Sequence, residues 1–389
     1  MAIKKIVLSE YSRSKEDSLS DRFFNFIDQF NLKNYECYVF FSSPWGDGTD
    51  PADLENIKYT EKLIIFHHWD SLIGPNEFNQ YKEKTQYGLE KIKNICLKHH
   101  DKHFILVSEQ YNLYTEEIKN LSVIYFPTFF PRKESKKYLT CNKKNFADKK
   151  WVFFNNQPTT HRLFSLSYIL SKNLDKHGLI SASDYIHTRA NQYNSLYDLS
   201  NDLFRIDNWD TLEQGFSKLR SLKFEKVNSL SPIPKRSAED KFWDFLISNY
   251  NDNLLPLHNT AALEIISTSI FFEPIPFFSE KEPNAVRSKN FIIFISSQHA
   301  VKKWRELGFD AFDDIIDHSY DDQPDPALRI IEAIDKNQKL LDGSVDLEKL
   351  WLDCQLRFDD NLKNLNSLQT RLDQNLKNEF EKILKFISI

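Results

Sequence analysis

Trp151-Val152-Phe153-Phe154-Asn155-Asn156-Gln157-Pro158-Thr159-Thr160-His161-Arg162 is the stretch on which the architecture turns. Its first five residues read as a buried apolar strand, Pro158 marks a turn, and residues 159–176 follow helical periodicity. A strand feeding a helix is half of a βαβ unit, because parallel strands need a crossover between them. The same alternation continues downstream, with helices expected over 238–250, 280–287 and 300–307 and strands over 262–268 and 290–295. Upstream, residues 3–9, 36–41, 62–68, 103–108 and 122–126 are β-rich runs separated by longer polar-apolar stretches at 19–30 and 76–100. Five such strands with intervening helices predict a parallel, doubly wound sheet.

A chain of 389 residues exceeds one comfortable core, so two domains are expected. The sequence divides into an N-terminal Rossmann-like domain over 1–132, a linker over 133–150, a C-terminal Rossmann-like domain over 151–344 and a helical tail over 345–389. Pro127, Pro131 and the lysine-rich stretch that follows place the linker. The tail has Leu347, Leu350, Leu356, Leu362, Leu365, Leu368 and Leu372 in loosely heptad order, a candidate surface for homo-oligomerisation. The expected class is therefore α/β, with two Rossmann-like domains facing each other across a cleft and a helical C-terminal tail.

Composition narrows the function classes. The four cysteines are scattered, with no Cys-x-x-Cys pair, which speaks against a disulfide framework or a cysteine-rich zinc site and fits a reducing cytoplasm. No run approaches eighteen uninterrupted apolar residues, so no membrane span is expected. A formal net charge of −5 supplies no global attraction to a nucleic-acid backbone, although a local basic patch among Lys133 to Lys150 stays open.

Ligands of open α/β sheets bind beyond the carboxyl ends of the strands, so the loops that follow strands are where chemistry is sought. One such loop carries Asn155, His161 and Arg162, a cation and an imidazole in the first turn of a helix, where an anionic ligand would offset the unfavourable dipole. Another is Phe277-Phe278-Ser279-Glu280-Lys281, read as an apolar strand running into a helix start. There Lys281 can meet a pyrophosphate and Glu280 can accept hydrogen bonds from ribose hydroxyls, although Ser-Glu-Lys is also an ordinary N-cap. In the first domain, Asp47 and Asp50 in Ser43 to Asp50, and His67, His68 and Asp70 in Phe66 to Asp70, are candidates for the base that takes a proton from an acceptor hydroxyl. Of these, Asp70, His68 and Asp47 are the expected catalytic residues. His99, His100 and His103 read as ordinary helix-end residues rather than metal ligands, and the acidic run 310–325 reads as capping and packing.

Ser279-Glu280-Lys281, the strand Asn290 to Phe294, Leu307-Gly308-Phe309-Asp310-Ala311-Phe312 and Asp317-His318-Ser319-Tyr320-Asp321, with Asn155 to Arg162 upstream, resemble a family of bacteriophage and bacterial glycosyltransferase-like proteins of the twin-domain (GT-B) type. The family pattern has Asp-Glu-Ser-Tyr-Asp where this chain has His318. The Glu-Lys pair is also similar to the donor-site signature of fucosyltransferase-type enzymes. The resemblance covers 151–334 and implies a hexosyl- or pentosyltransferase moving a sugar from a nucleotide-diphosphate donor, with Arg162 and Lys281 neutralising the diphosphate and Glu280 holding sugar hydroxyls. His161, Ser279 and Asn155 complete the implied donor site. No Asp-x-Asp occurs in the chain, so no metal and no cofactor beyond the nucleotide-sugar co-substrate are expected. The acceptor is a glycan hydroxyl or, in an alternative reading, a hydroxymethylated base of phage DNA. A third reading is a non-catalytic binding or assembly protein that self-associates through its tail.

Overall fold

The computed structural model describes residues 4–7, 37–42, 63–68, 87–108, 118–125, 138–146, 149–155, 158–182, 184–200, 204, 206, 209–222, 249–268, 271 and 276–387. Strands β1 (Lys4–Val7), β2 (Cys37–Ser42), β3 (Leu63–His68), β4 (His103–Ser108) and β5 (Leu121–Tyr125) form a parallel sheet. Phe104, Ile105, Leu106 and Val107 of β4 are all fully buried, as a strand covered on both faces requires, and this is why the run carries no polar alternation. Helix α1 (Tyr87–Lys98) buries Ile92, Ile95 and Cys96. Its end is tied down by Asn120, whose Nδ2 lies 2.9, 3.2 and 3.1 Å from the carbonyls of Cys96, His99 and Lys102. His103 lies 3.1 Å from the Ser122 hydroxyl.

The strand order is β1-β2-β3-β4-β5, which never reverses. This corrects the doubly wound expectation for the first half: alternation of strands and helices is compatible with any strand order, and a sheet without a reversal has no switch point.

The second sheet is different. Strand β6 (Trp151–Asn155), helix α2 (Thr160–Ser171), a 3-10 turn (Leu174–His177) and β7 (Gly178–Ala182) open it. Helices α3 (Asp184–Ala190), α4 (Leu196–Ser200) and α5 (Asp210–Ser221) follow, then a π-helical turn (Asn249–Leu254) that runs into α6 (Leu255–His258). Then come β8 (Leu263–Ser267), α7 (Lys281–Arg287), β9 (Phe291–Ile295), α8 (Ala300–Glu306) and α9 (Pro326–Lys336). The short α10 (Gln338–Leu341), α11 (Leu347–Asp353) and the 33-residue α12 (Gln355–Ile387) complete the chain. All pairings are parallel, in the order β7-β6-β8-β9. The chain leaves β6 toward β7, then returns to the other side of β6 with β8, so the direction of winding reverses between β6 and β8.

Alternate side chains sort to two faces. Trp151, Phe153, Leu263, Ile265, Ile293 and Ile295 pack under α2 and α9, whereas Ile266, Ile292 and Phe294 pack with Ala285 and Val286 of α7 and Trp304 of α8. Helix α5 lies closely on α2 because Gly215 meets the Ser167 carbonyl there. The described part of the lysine-rich stretch also belongs to this body. Lys144 is buried and donates to the His258 carbonyl at 2.8 Å and to Asn290 Oδ1 at 2.5 Å, and desolvation pulls its ammonium down to about 7.

Leu365 and Leu368 of α12 join the α7 and α8 side of the sheet, and farther along the helix Leu376, Phe380 and Leu384 are buried where it reaches β5. The tail's apolar stripe therefore packs on the chain's own sheets. Leu356, counted in the heptad reading, is instead 80% exposed. No described helix is long and apolar enough to cross a membrane.

Candidate functional site

The reversal between β6 and β8 puts the start of α2 on one face of the second sheet and the start of α7 on the other. Both first turns lie at the carboxyl edge, the position at which open α/β sheets take ligands. The ladder between the two strands ends early. β6 pairs with β7 as far as Asn155↔Ala182 and β8 pairs with β9 as far as Ser267↔Ile295, but β6 and β8 pair only as far as Phe153↔Ile265. Two residues of each strand, Phe154 and Asn155 of β6 and Ile266 and Ser267 of β8, stand beyond that last pair.

This edge of the sheet carries the residues of the first expected loop. Arg162 is buried and donates from Nη2 to the Ser267 carbonyl at 3.1 Å. His161 lies 2.9 Å from the Thr268 carbonyl and stacks on Phe271 with ring centroids 4.8 Å apart. The α2 N-cap, Thr159, makes no side-chain capping bond. Both residues thus fasten the first turn of α2 to the end of β8, a structural role that their spacing in the sequence does not reveal. Arg329 of α9 was given no site role from the sequence. It donates to the carbonyls of Ser296 at 2.9 Å and Gln323 at 2.7 Å, sits 5.0 Å from the Phe271 ring centre, and is pulled down to about 10 by burial. Two guanidiniums therefore occupy this edge, set by the ends of β8 and β9.

The second expected loop is not a strand. Residues 276–279 are unpaired with either sheet, and the helix begins at Lys281. Glu282 reaches back to the Ser279 N–H, the one half of a capping box that the Ser-x-x-Glu spacing could have signalled, while Glu280 stands at the N-cap without a side-chain capping bond. The Ser279 N–H and Oγ–H donate to Glu282 Oε2 at 2.8 and 3.2 Å. Lys281 Nζ lies 3.3 Å from Glu280 Oε1 and 3.4 Å from Ser279 Oγ. Desolvation pushes the Glu280 carboxyl up, but the Lys281 ammonium, hydrogen bonds and the Arg162 guanidinium outweigh it and hold the group below the usual carboxylate value. Glu280 thus stands in the electrostatic reach of both cations expected at the diphosphate.

Glu282 is buried, and its Oε1 has no hydrogen-bond partner among the described residues. Desolvation pushes its carboxyl up to about 7, with Lys281 and the Ser279 N–H opposing. A carboxyl raised in the folded state binds more protons folded than unfolded between pH 4.5 and 7, so its contribution to stability is lost as pH rises through that window. Wild-type stability is expected to fall by about 3 kcal/mol across the window on this account. Glu282→Gln should remove that part of the slope in denaturant titrations at several pH values. Parallel pH profiles for the two proteins would assign the slope elsewhere.

The remaining sequence candidates resolve unevenly. His68 ends β3, in register with Ser42 and Ser108. Asp47 and Asp70 lie outside the described residues. In the acidic run, Asp321 accepts from Val301 N and Lys302 N at the start of α8, Asp325 caps α9, and Asp310 pairs with Arg357. The Tyr320 hydroxyl accepts from the Phe294 N–H, so the edge strand β9 loses a dangling donor. His318 lies 3.1 Å from that hydroxyl and 2.9 Å from the Ala311 carbonyl. Each polar group in Asp317 to Asp321 is engaged in holding the fold. Among the described residues no group of His, Cys, Asp or Glu side chains could hold a metal ion.

Comparison of the chain with protein-family models and with curated proteins returns no match, so the transferase resemblance stands on the quoted motifs alone.

Proposed function

We propose that the chain is a glycosyltransferase that moves a sugar from a nucleotide-diphosphate donor to a hydroxyl acceptor. The observation that supports this reading is that two helix starts from opposite faces lie at the carboxyl edge of the second sheet, with Arg162 and Lys281 each within electrostatic reach of Glu280. Neutralising the departing nucleotide is the main electrostatic task of glycosyl transfer, and preorganised cations perform it without reorganising at the moment of bond cleavage. In this reading Lys281 and Arg162 meet the diphosphate and Glu280 accepts from sugar hydroxyls. In this reading the first half, a parallel sheet without a reversal, faces the donor across a cleft and supplies the acceptor base from His68, Asp47 or Asp70. Side-chain cations serve in place of a metal.

The test is a thermal-shift panel of uridine, guanosine and adenosine diphosphates and their glucose conjugates, followed by assay of sugar release from whichever conjugate binds. One nucleotide diphosphate is expected to raise the melting temperature, by about 2.7 kcal/mol of stabilisation at a hundredfold excess over its Kd. A panel without any shift would overturn the reading.

A further inference from the structure

The segment 138–146 brings a lysine into a buried polar cluster at the amino edge of the second sheet, the edge opposite the candidate site. Lys144 Nζ donates to the His258 carbonyl at the end of α6 and to Asn290 Oδ1 just before β9. With Oδ1 turned to the lysine, Asn290 Nδ2 faces the other way, 3.0 Å from His258 Nδ1 and 3.4 Å from Glu264 Oε2. His258 Nδ1 and Glu264 Oε2 lie 3.1 Å apart. Lys144, His258, Glu264 and Asn290 are each no more than 5% exposed. Backbone bonds on either side of Lys144 complete the attachment: the Cys141 N–H donates to the Arg287 carbonyl at 2.9 Å, and the Asn145 N–H to the Asn259 carbonyl at 2.8 Å.

The hydrogen-bond count in this cluster favours an uncharged amine. An ammonium has three N–H donors, whereas two acceptors reach Nζ among the described residues, and the Trp351 ring centre lies 5.7 Å away. No described carboxylate forms an ion pair with Lys144. Glu264 attracts it, but its Oε2 is taken up by His258 and Asn290. Lys289 repels it and is itself paired with Asp359 at 2.8 Å. Cys141, the titratable neighbour on the segment itself, is a thiol whose ionisation burial suppresses. A buried cation without an ion-pair partner is costly, and the cost disappears when the segment swings into water. We propose that residues 138–146 form a proton-released strap: taking up a proton at Lys144 favours detachment of the segment from the amino edge of the second sheet, and losing that proton favours closure. The sign follows from linkage. Closed, the amine is pulled down to about 7 against 10.5 in water, so the closed form binds fewer protons than the open one across that window, and closure strengthens as pH rises. Detachment would uncover Cys141 and free part of the chain between β5 and β6. The strap goes beyond the transferase reading and does not depend on it.

Hydrogen exchange of the full chain reads the opening directly, by mass spectrometry of a peptide spanning 138–146 between about pH 6 and 9, with rates corrected for the intrinsic pH dependence of amide exchange. Wild-type protection is expected to rise by about tenfold or more from pH 7 to 9, and to change by only about twofold from pH 6 to 7. Lys144→Met, which fills the site with a side chain that binds no proton, should give a flat profile. A flat profile in wild type, or an unchanged slope in Lys144→Met, sinks the proposal. A peptide from β8 serves as the reference and should be protected more strongly than the strap. Equal protection of the two at every pH would mean that only whole-body unfolding exposes the segment, which also overturns it. Should Lys144→Met fail to fold, Lys144→Arg, which keeps its charge throughout, is expected to show low protection without a slope, and the wild-type profile decides by itself.

Discussion

Lys281→Ala is expected to weaken binding of a nucleoside diphosphate by about tenfold to a hundredfold while leaving the free chain folded and nearly as stable as wild type. The ammonium is 22% exposed and its ionic partner among the described residues is Glu280, itself 42% exposed, so the pair contributes little to folding. A charge-assisted contact to a phosphate oxygen is worth about 1.5–3 kcal/mol, which is the stated range of affinity. Calorimetric titration with the diphosphate identified by thermal shift measures it directly. Lys281→Arg retains the charge and should recover part of the loss. An affinity unchanged in Lys281→Ala would remove Lys281 from the donor site, and with it the argument that two helix starts converge on one diphosphate.

Gly215→Ala is expected to lower the melting temperature by roughly 6–12 °C, corresponding to about 3 kcal/mol. Helix propensity alone predicts the opposite sign, since alanine is favoured over glycine in a helix interior by about 1 kcal/mol. The tertiary structure reverses it: a Cβ at position 215 runs into the Ser167 backbone carbonyl of α2, and backbone cannot turn aside as a flexible side chain can. Helix α2 carries Arg162 in its first turn and Ser167 in its middle, so pushing α5 outward shifts the wall of the donor site as well. A variant as stable as wild type would show that α2 and α5 are not packed at this distance.

The two predictions separate what is local from what is not. Strands β2, β3, β4, β6, β8 and β9 were legible because apolar runs bounded by turn residues are a property of a few consecutive side chains. Helices α2, α7 and α8 follow for the same reason. β7 and the helices α3 to α5 were missed: Gly178-Leu179-Ile180-Ser181-Ala182 is short and weakly apolar, and is held in the sheet by pairing with β6 over its full length. Phe277 to Ser279 was misread as a strand, because an apolar run does not say whether an adjacent strand exists to pair with.

Of the site, the sequence alone determined which residue types stand at the end of β6 and at the starts of α2 and α7: Asn155, His161, Arg162, Ser279, Glu280 and Lys281. Nothing local marked Ser267 or Arg329 as their neighbours, whereas the Ser-x-x-Glu spacing could have signalled Glu282. Only the tertiary structure decided that the first sheet runs without reversal while the second turns back between β6 and β8. It also decided that Arg162 and His161 grip the carbonyls of β8. The physical reason is that strand order is settled by pairing between segments more than a hundred residues apart, whereas periodicity and turn chemistry report on only a few residues at a time.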